Sequence, residues 1–135
     1  MKEMTLPAVV ENIAQVTDFV NAQLEEIGCP MKAQVQIDIA IDELFGNIAQ
    51  YAYNPEIGPA TVRVEVSDAP ISVTITFMDH GVPYDPLQKE DPDITLSAEE
   101  RGSGGLGIFM VKKTMDEITY EYKDGQNILR IRKDI

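Results

Sequence analysis

The segment Asp42-Glu43-Leu44-Phe45-Gly46-Asn47 sets a carboxylate and a carboxamide four positions apart. On a helix, Glu43 and Asn47 would project from one face, a turn apart. An amide oxygen held there can bind Mg²⁺ while the carboxylate takes a proton from an attacking hydroxyl or water. Taken alone, a solvated Glu beside a helix-interior Asn is the simpler account. A second cluster, Met78-Asp79-His80-Gly81, closes an alternating apolar run and so falls where a strand ends. An Asp at that point can accept a hydrogen bond from the exocyclic amine of adenine, and Gly81 would let the backbone approach the base. Asp-x-Gly is also a common turn. A third cluster, Arg101-Gly102-Ser103-Gly104-Gly105-Leu106-Gly107, leads into a helical pattern. Glycines before a helix expose successive N–H groups and the positive end of the helix dipole, a cradle for phosphate to which Arg101 or Lys112 could add charge. This loop is not a P-loop, for lack of Gly-Lys-Ser/Thr, and not the dinucleotide fingerprint, which needs a preceding strand.

The elements that would position these clusters follow from periodicity. Thr5 and Pro7 carry helix-start chemistry, and Val9, Ile13, Val16, Val20, Leu24 and Ile27 recur at helical spacing until Gly28. Ile37, Ile41, Leu44 and Ile48 predict a second helix over 32–51, ended by Asn54, Pro55, Gly58 and Pro59. Val62, Val64 and Val66, then Ile71, Val73, Ile75 and Phe77, alternate as an antiparallel pair around Ser67-Asp68-Ala69-Pro70. Between Asp79 and Gly107 the periodicity vanishes and prolines and glycines accumulate; so long a loop in a small domain is usually a functional lid or disordered. A helix is predicted over 106–115. Ile118, Tyr120 and Tyr122 then turn at Asp124-Gly125 into a last strand carrying Leu129 and Ile131, and a short strand is predicted over 2–6. This order predicts an α+β fold: a two-layer α/β sandwich with helices packed on one face of a mixed, mostly antiparallel sheet.

With 135 residues and 44% hydrophobic content, one domain spanning 1–135 is expected, with a lid at about 84–104. A formal net charge of −12 repels phosphate backbones and speaks against DNA or RNA as a partner. It does not exclude ATP, because Mg²⁺ and backbone N–H groups can hold phosphates without a basic surface. Neither a membrane span nor a secretory signal is supported, so a cytoplasmic location is expected. Cys29, the only cysteine, stands between Gly28 and Pro30 with no evident His partner and reads as a loop thiol. Tyr51, Tyr53 and the Met residues read as packing.

Glu-x-x-x-Asn on a helix, Asp-x-Gly after a strand and a lid closing in Gly-x-Gly before a helix occur here in one order. In that combination the chain resembles the GHKL ATPase superfamily over nearly its whole length. Within it, the chain is most similar to the small stand-alone anti-sigma-factor serine/threonine kinases of bacterial partner switching. The resemblance implies the histidine-kinase-type ATPase fold, with ATP and Mg²⁺. It implies Glu43 as general base, Asn47 as Mg²⁺ ligand and Asp79 as the adenine-reading carboxylate, with Gly81 beneath the base. Gly104, Gly105, Leu106 and Gly107 match the second glycine box, where backbone meets phosphate, and Arg101 falls where such kinases often carry a lid arginine near the γ-phosphate. It further implies transfer to a serine or threonine of a STAS-domain anti-sigma antagonist, a sigma factor held inactive, and a homodimer.

The chain also departs from that pattern. Tyr51-Ala52-Tyr53 stands where many relatives read His-Gly-Tyr or His-Ala-Tyr, which leaves the base intact. Asn127-Ile128-Leu129-Arg130 lacks the Thr that commonly supports an adenine-bound water, and Asn127 is the candidate substitute. His80 lies inside the adenine motif and not on a separate helical hairpin, so a histidine-kinase reading has no acceptor. The competing readings are a non-catalytic ATP-binding module that sequesters a partner, and a plain ATPase in which Glu43 activates water.

Overall fold

The computed structural model describes residues 1–88 and 106–135, with Leu106 described by its backbone only. Strand β1 (Lys2–Pro7) is followed by a 3₁₀ turn (Val10–Asn12) and helices α1 (Ile13–Glu26) and α2 (Met31–Asn47), and α2 continues into a π-helical turn (Ile48–Ala52). Strands β2 (Pro59–Asp68) and β3 (Ile71–Asp79) come next, then a 3₁₀ turn (Pro86–Gln88), helix α3 (Leu106–Thr114) and strands β4 (Glu117–Lys123) and β5 (Gln126–Asp134). The five-stranded sheet has the order β1-β2-β3-β5-β4. Every pairing among the described residues is antiparallel, so the parallel component of the expected mixed sheet is not found there.

The helices cover one face, with α2 between α1 and α3. The core joins Val16, Val20 and Leu24 of α1, Ile37, Ile41, Leu44 and Phe45 of α2, and Ile108 and Val111 of α3. These meet Val62, Val64, Ile75, Phe77, Leu129 and Ile131 from the sheet. A large apolar side chain fully buried in such a layer contributes about 1.5–3 kcal/mol. The other face is polar and laced by cross-strand pairs: Thr5 with Thr61 at 2.8 Å, Arg63 with Glu3 at 3.3 Å, Arg130 with Glu121 at 3.1 Å and Arg132 with Glu117 at 2.7 Å.

The first helix starts later than its periodicity predicts. Thr5 and Pro7 belong to β1, where Pro7 stands opposite Pro59 and the Ala8 N–H donates to Gly58 O at 2.9 Å. An edge strand accepts a proline, and pairing with β2 satisfies a backbone that a helix would otherwise have claimed. Asn12 then donates its side-chain amide to Pro7 O at 2.8 Å, and the α-helix begins at Ile13. Gly28, at φ +67°, lets the chain leave α1. Asp124 (φ 54°) and Gly125 (φ 76°) both take the left-handed conformation that a tight hairpin between β4 and β5 requires. No helix among the described residues is long and apolar enough to cross a membrane.

Candidate nucleotide site

An apolar slot opens where the end of α2 meets the ends of β3 and β5. Leu44, Ile48, Phe77, Val82, Pro86 and Leu129 wall it, and Asn47, Asp79 and Asn127 supply its polar groups. An apolar cleft with a few convergent polar groups is the usual form of a small-ligand site. Asp79, the last residue of β3, is 4% exposed. The Gly81 N–H (2.8 Å) and the Asn127 side-chain amide (2.9 Å) both donate to its Oδ1. Burial pushes the Asp79 carboxyl above the ordinary carboxylate range, while those two donors and nearby His80 pull against that rise. A carboxylate accepts through both oxygens, so Asp79 can also accept from an amine entering the slot.

Gly81 lies in the loop that leaves β3 after Asp79. Its Cα packs on the π-helical turn, where an added Cβ would lie 2.2 Å from Ala52 O, and the next N–H, of Val82, donates to that same oxygen at 3.0 Å. The glycine at this position therefore seats the Asp79 loop on the end of α2. Ala52 ends the helical run, so its carbonyl has no partner within the helix and can accept from Val82; π-helical turns recur at functional sites. Tyr53, read from sequence as packing, also fastens the loop: the His80 N–H donates to its hydroxyl at 2.8 Å, and that hydroxyl donates to Pro59 O at 2.6 Å. Tyr51 pairs with Tyr84 at the slot mouth, ring centroids 5.4 Å apart.

Glu43 and Asn47 come together as their spacing predicts, the Asn47 amide donating to Glu43 Oε1 at 3.4 Å. Asn47 borders both the apolar slot and a polar groove formed with Val10, Ile13, Asp42, Glu43, Gly46 and Gln50. Gly107, in the first turn of α3, meets the Glu43 carboxylate so closely that a Cβ there would lie 2.1 Å from Oε2. Since the Asn47 N–H faces Glu43, its amide oxygen can turn to a cation at the junction of slot and groove. Among the described residues no cluster of three or more His, Cys, Asp or Glu could hold a metal. One neutral oxygen beside a carboxylate therefore fits Mg²⁺ bound mainly through a substrate's phosphates better than it fits an all-protein cage.

Arg101, Gly104 and Gly105 lie outside the described residues, as does most of the expected lid over 84–104. Leu106 begins α3, so Gly107 belongs to the helix and not to the loop before it. Lys112 stands in the last turn of α3, where a cation complements the helix C-terminus, and not at the glycine end. Burial raises the Cys29 thiol, as does Asp38 while Lys133 opposes, which suits an inert loop thiol. Sequence named Asn127 only as a substitute for a missing Thr. It is the polar centre of the slot: beside Asp79 it donates to Val82 O at 2.8 Å, and its Oδ1 accepts the Tyr84 N–H at 3.0 Å and the Tyr120 hydroxyl.

A helix-covered antiparallel sheet, with an acid-floored apolar slot beside a helical Glu/Asn pair and a glycine-led helix, is the arrangement of a histidine-kinase-type ATPase domain. The model of the histidine kinase-like ATPase domain family matches residues 6–133, and the chain belongs to that family. It is 27% identical to the serine/threonine-protein kinase BtrW of Bordetella bronchiseptica over 95 residues, which are 70% of this chain and 66% of that protein. It is 27% identical to the serine-protein kinase RsbW of Bacillus cereus and 26% identical to that of Bacillus mycoides, in each case over 131 residues, 94% of this chain and 81% of the relative.

Proposed function

We propose that this chain is a Mg-ATP-dependent serine/threonine protein kinase and an anti-sigma regulatory factor, which phosphorylates a STAS-domain anti-sigma antagonist and sequesters a sigma factor as a homodimer. The observation that carries the catalytic part is the meeting of Gly107 with Glu43, whose partner Asn47 borders both the Asp79 slot and the polar groove that holds Glu43. The names of the relatives support the choice of serine or threonine as acceptor.

In this reading the adenine enters the apolar slot and its exocyclic amine donates to Asp79. The phosphates run toward the start of α3, where backbone N–H groups of the Gly104 to Gly107 segment receive them and Arg101 approaches the γ-phosphate. Asn47 would hold Mg²⁺ through its amide oxygen; when bound, the ion neutralises phosphate charge. Glu43 accepts the proton of the serine or threonine hydroxyl as its oxygen bonds to the γ-phosphorus and the bond to the β-phosphate oxygen breaks, releasing ADP. Positioning and charge neutralisation are most of what phosphoryl transfer needs, so these groups suffice.

The test is transfer of labelled γ-phosphate to purified STAS-domain proteins. Phosphoserine or phosphothreonine that disappears with Glu43→Gln supports the kinase. Phosphate released to water without any acceptor would replace it with an ATPase, and ATP binding with neither product would replace it with a non-catalytic module.

A further inference from the structure

Asn127 takes no part in the chemistry proposed above, yet its side chain is engaged on every side. A carboxamide offers two N–H donors and an oxygen with two lone pairs. Here the N–H groups go to Asp79 Oδ1 at 2.9 Å and Val82 O at 2.8 Å, with Gly81 O at 3.5 Å, and the oxygen accepts from the Tyr84 N–H at 3.0 Å and from the Tyr120 hydroxyl. The residue is 6% exposed. An amide committed on every side cannot itself read a base. It is held by strand register, because Asn127 of β5 stands directly opposite Asp79 of β3.

Resting on the nucleotide-site reading above, we propose that Asn127 is a positioning residue that sets the preference of the slot for 6-aminopurines over 6-oxopurines, by holding the Asp79 carboxylate as an acceptor-only group. The walls around Asp79 are largely apolar, and burial there favours a protonated carboxyl. A protonated carboxyl carries an O–H donor that would pair with the 6-oxo group of hypoxanthine or guanine, whereas an ionised one repels that oxygen and accepts the adenine amine. The Asn127 N–H stabilises the ionised form and fixes which oxygen stays free. Among the described residues, few other ionisable groups reach Asp79. His80 follows Asp79 just past the end of β3, Tyr53 reaches it from beyond the π turn and Tyr120 from β4. Helix α2 presents Leu44 and Asn47 to the slot, the π turn presents Ile48, Tyr51 and Ala52, and β2 sets Ala60 opposite Asp79.

The experiment is calorimetric titration of the full chain with Mg-ATP and Mg-ITP from mildly acidic to mildly basic pH, for wild type, Asn127→Leu and Asn127→Thr. Leu fills the site without a donor, and Thr keeps a hydroxyl that can donate to Asp79. The expected result is a wild-type preference for ATP of about tenfold or more, the size of one hydrogen bond to a charged group. Asn127→Leu reduces that preference roughly tenfold and moves the pH at which ATP binding begins to fail upward. Asn127→Thr stays within a few-fold of wild type on both. If Asn127→Leu does not fold, Asn127→Ala takes its place with the same readouts. An unchanged ATP to ITP ratio and unchanged pH dependence in the donor-free variant, with wild type binding ATP, overturns this role alone. Wild type failing to bind ATP overturns the nucleotide site and this role with it.

Discussion

Gly107, in the first turn of α3, packs its Cα against the Glu43 carboxylate of α2, leaving no room for a side chain: a Cβ would lie 2.1 Å from Oε2. The proposed base and the end of the glycine segment are thus in direct contact. The obstacle to a larger residue is the tip of a flexible side chain, so Gly107→Ala should fold. Alanine even gains up to about 1 kcal/mol over glycine inside a helix. Glu43 must swing aside to admit the methyl group, and phosphate transfer should fall about tenfold or more. Thermal melting and turnover measured on one preparation check both halves, and Glu43→Gln should add little further loss to Gly107→Ala.

Gly81→Ala should behave in the opposite way. Its methyl would meet the Ala52 carbonyl oxygen at 2.2 Å and carbon at 2.6 Å, which are backbone and cannot rotate away. Overpacking of this kind costs about 1–3 kcal/mol, so a clear fall in denaturation midpoint is expected, with ATP binding weakened because the Asp79 loop lifts from the π turn.

Asp79→Asn should remove ATP binding while raising the stability of the nucleotide-free protein. Burial raises the folded-state pKa of Asp79 above its unfolded value, so the folded chain holds this proton more tightly. Stability contributed by the neutral carboxyl is therefore present at low pH and lost as pH rises from the ordinary carboxylate range through the raised value. Asparagine keeps the oxygen that accepts from Gly81 and Asn127 and carries no charge. The variant should melt above wild type at neutral pH, with the difference closing as the solution is acidified below the ordinary carboxylate range. A difference independent of pH would contradict this account.

Tyr53→Phe should cost about 1–2 kcal/mol, since it leaves the His80 N–H and Pro59 O without the hydroxyl that joins them. Urea denaturation midpoints measure this. ATP affinity should fall less than in Asp79→Asn, because Tyr53 holds the loop and not the base.

Much of this arrangement was legible in sequence because it is local. Helical and alternating spacings gave α2, the β2–β3 pair and the Asp124-Gly125 hairpin, and an i, i+4 spacing brought Glu43 to Asn47. What was hidden depends on pairing between distant segments. Thr5 and Pro7 carry helix-start chemistry, but β2 claims them as an edge strand through Pro7 opposite Pro59. The Asn127 contact with Asp79 spans 48 residues and exists because β3 and β5 share a register, which no local pattern encodes. Tyr53 reads as apolar bulk until the fold brings His80 and Pro59 to its hydroxyl. The π turn over Ile48–Ala52 has no composition of its own, and the bond from Val82 N–H to the Ala52 carbonyl at its end joins segments far apart in the chain.

The most direct test of the central claim is isothermal titration of the purified chain with ATP, with and without Mg²⁺, repeated on Asn47→Ala and Asp79→Asn. The account predicts saturable binding that strengthens with Mg²⁺, loses its Mg²⁺ dependence in Asn47→Ala and is lost in Asp79→Asn. Absence of binding at millimolar ATP, or binding indifferent to both substitutions, would contradict it.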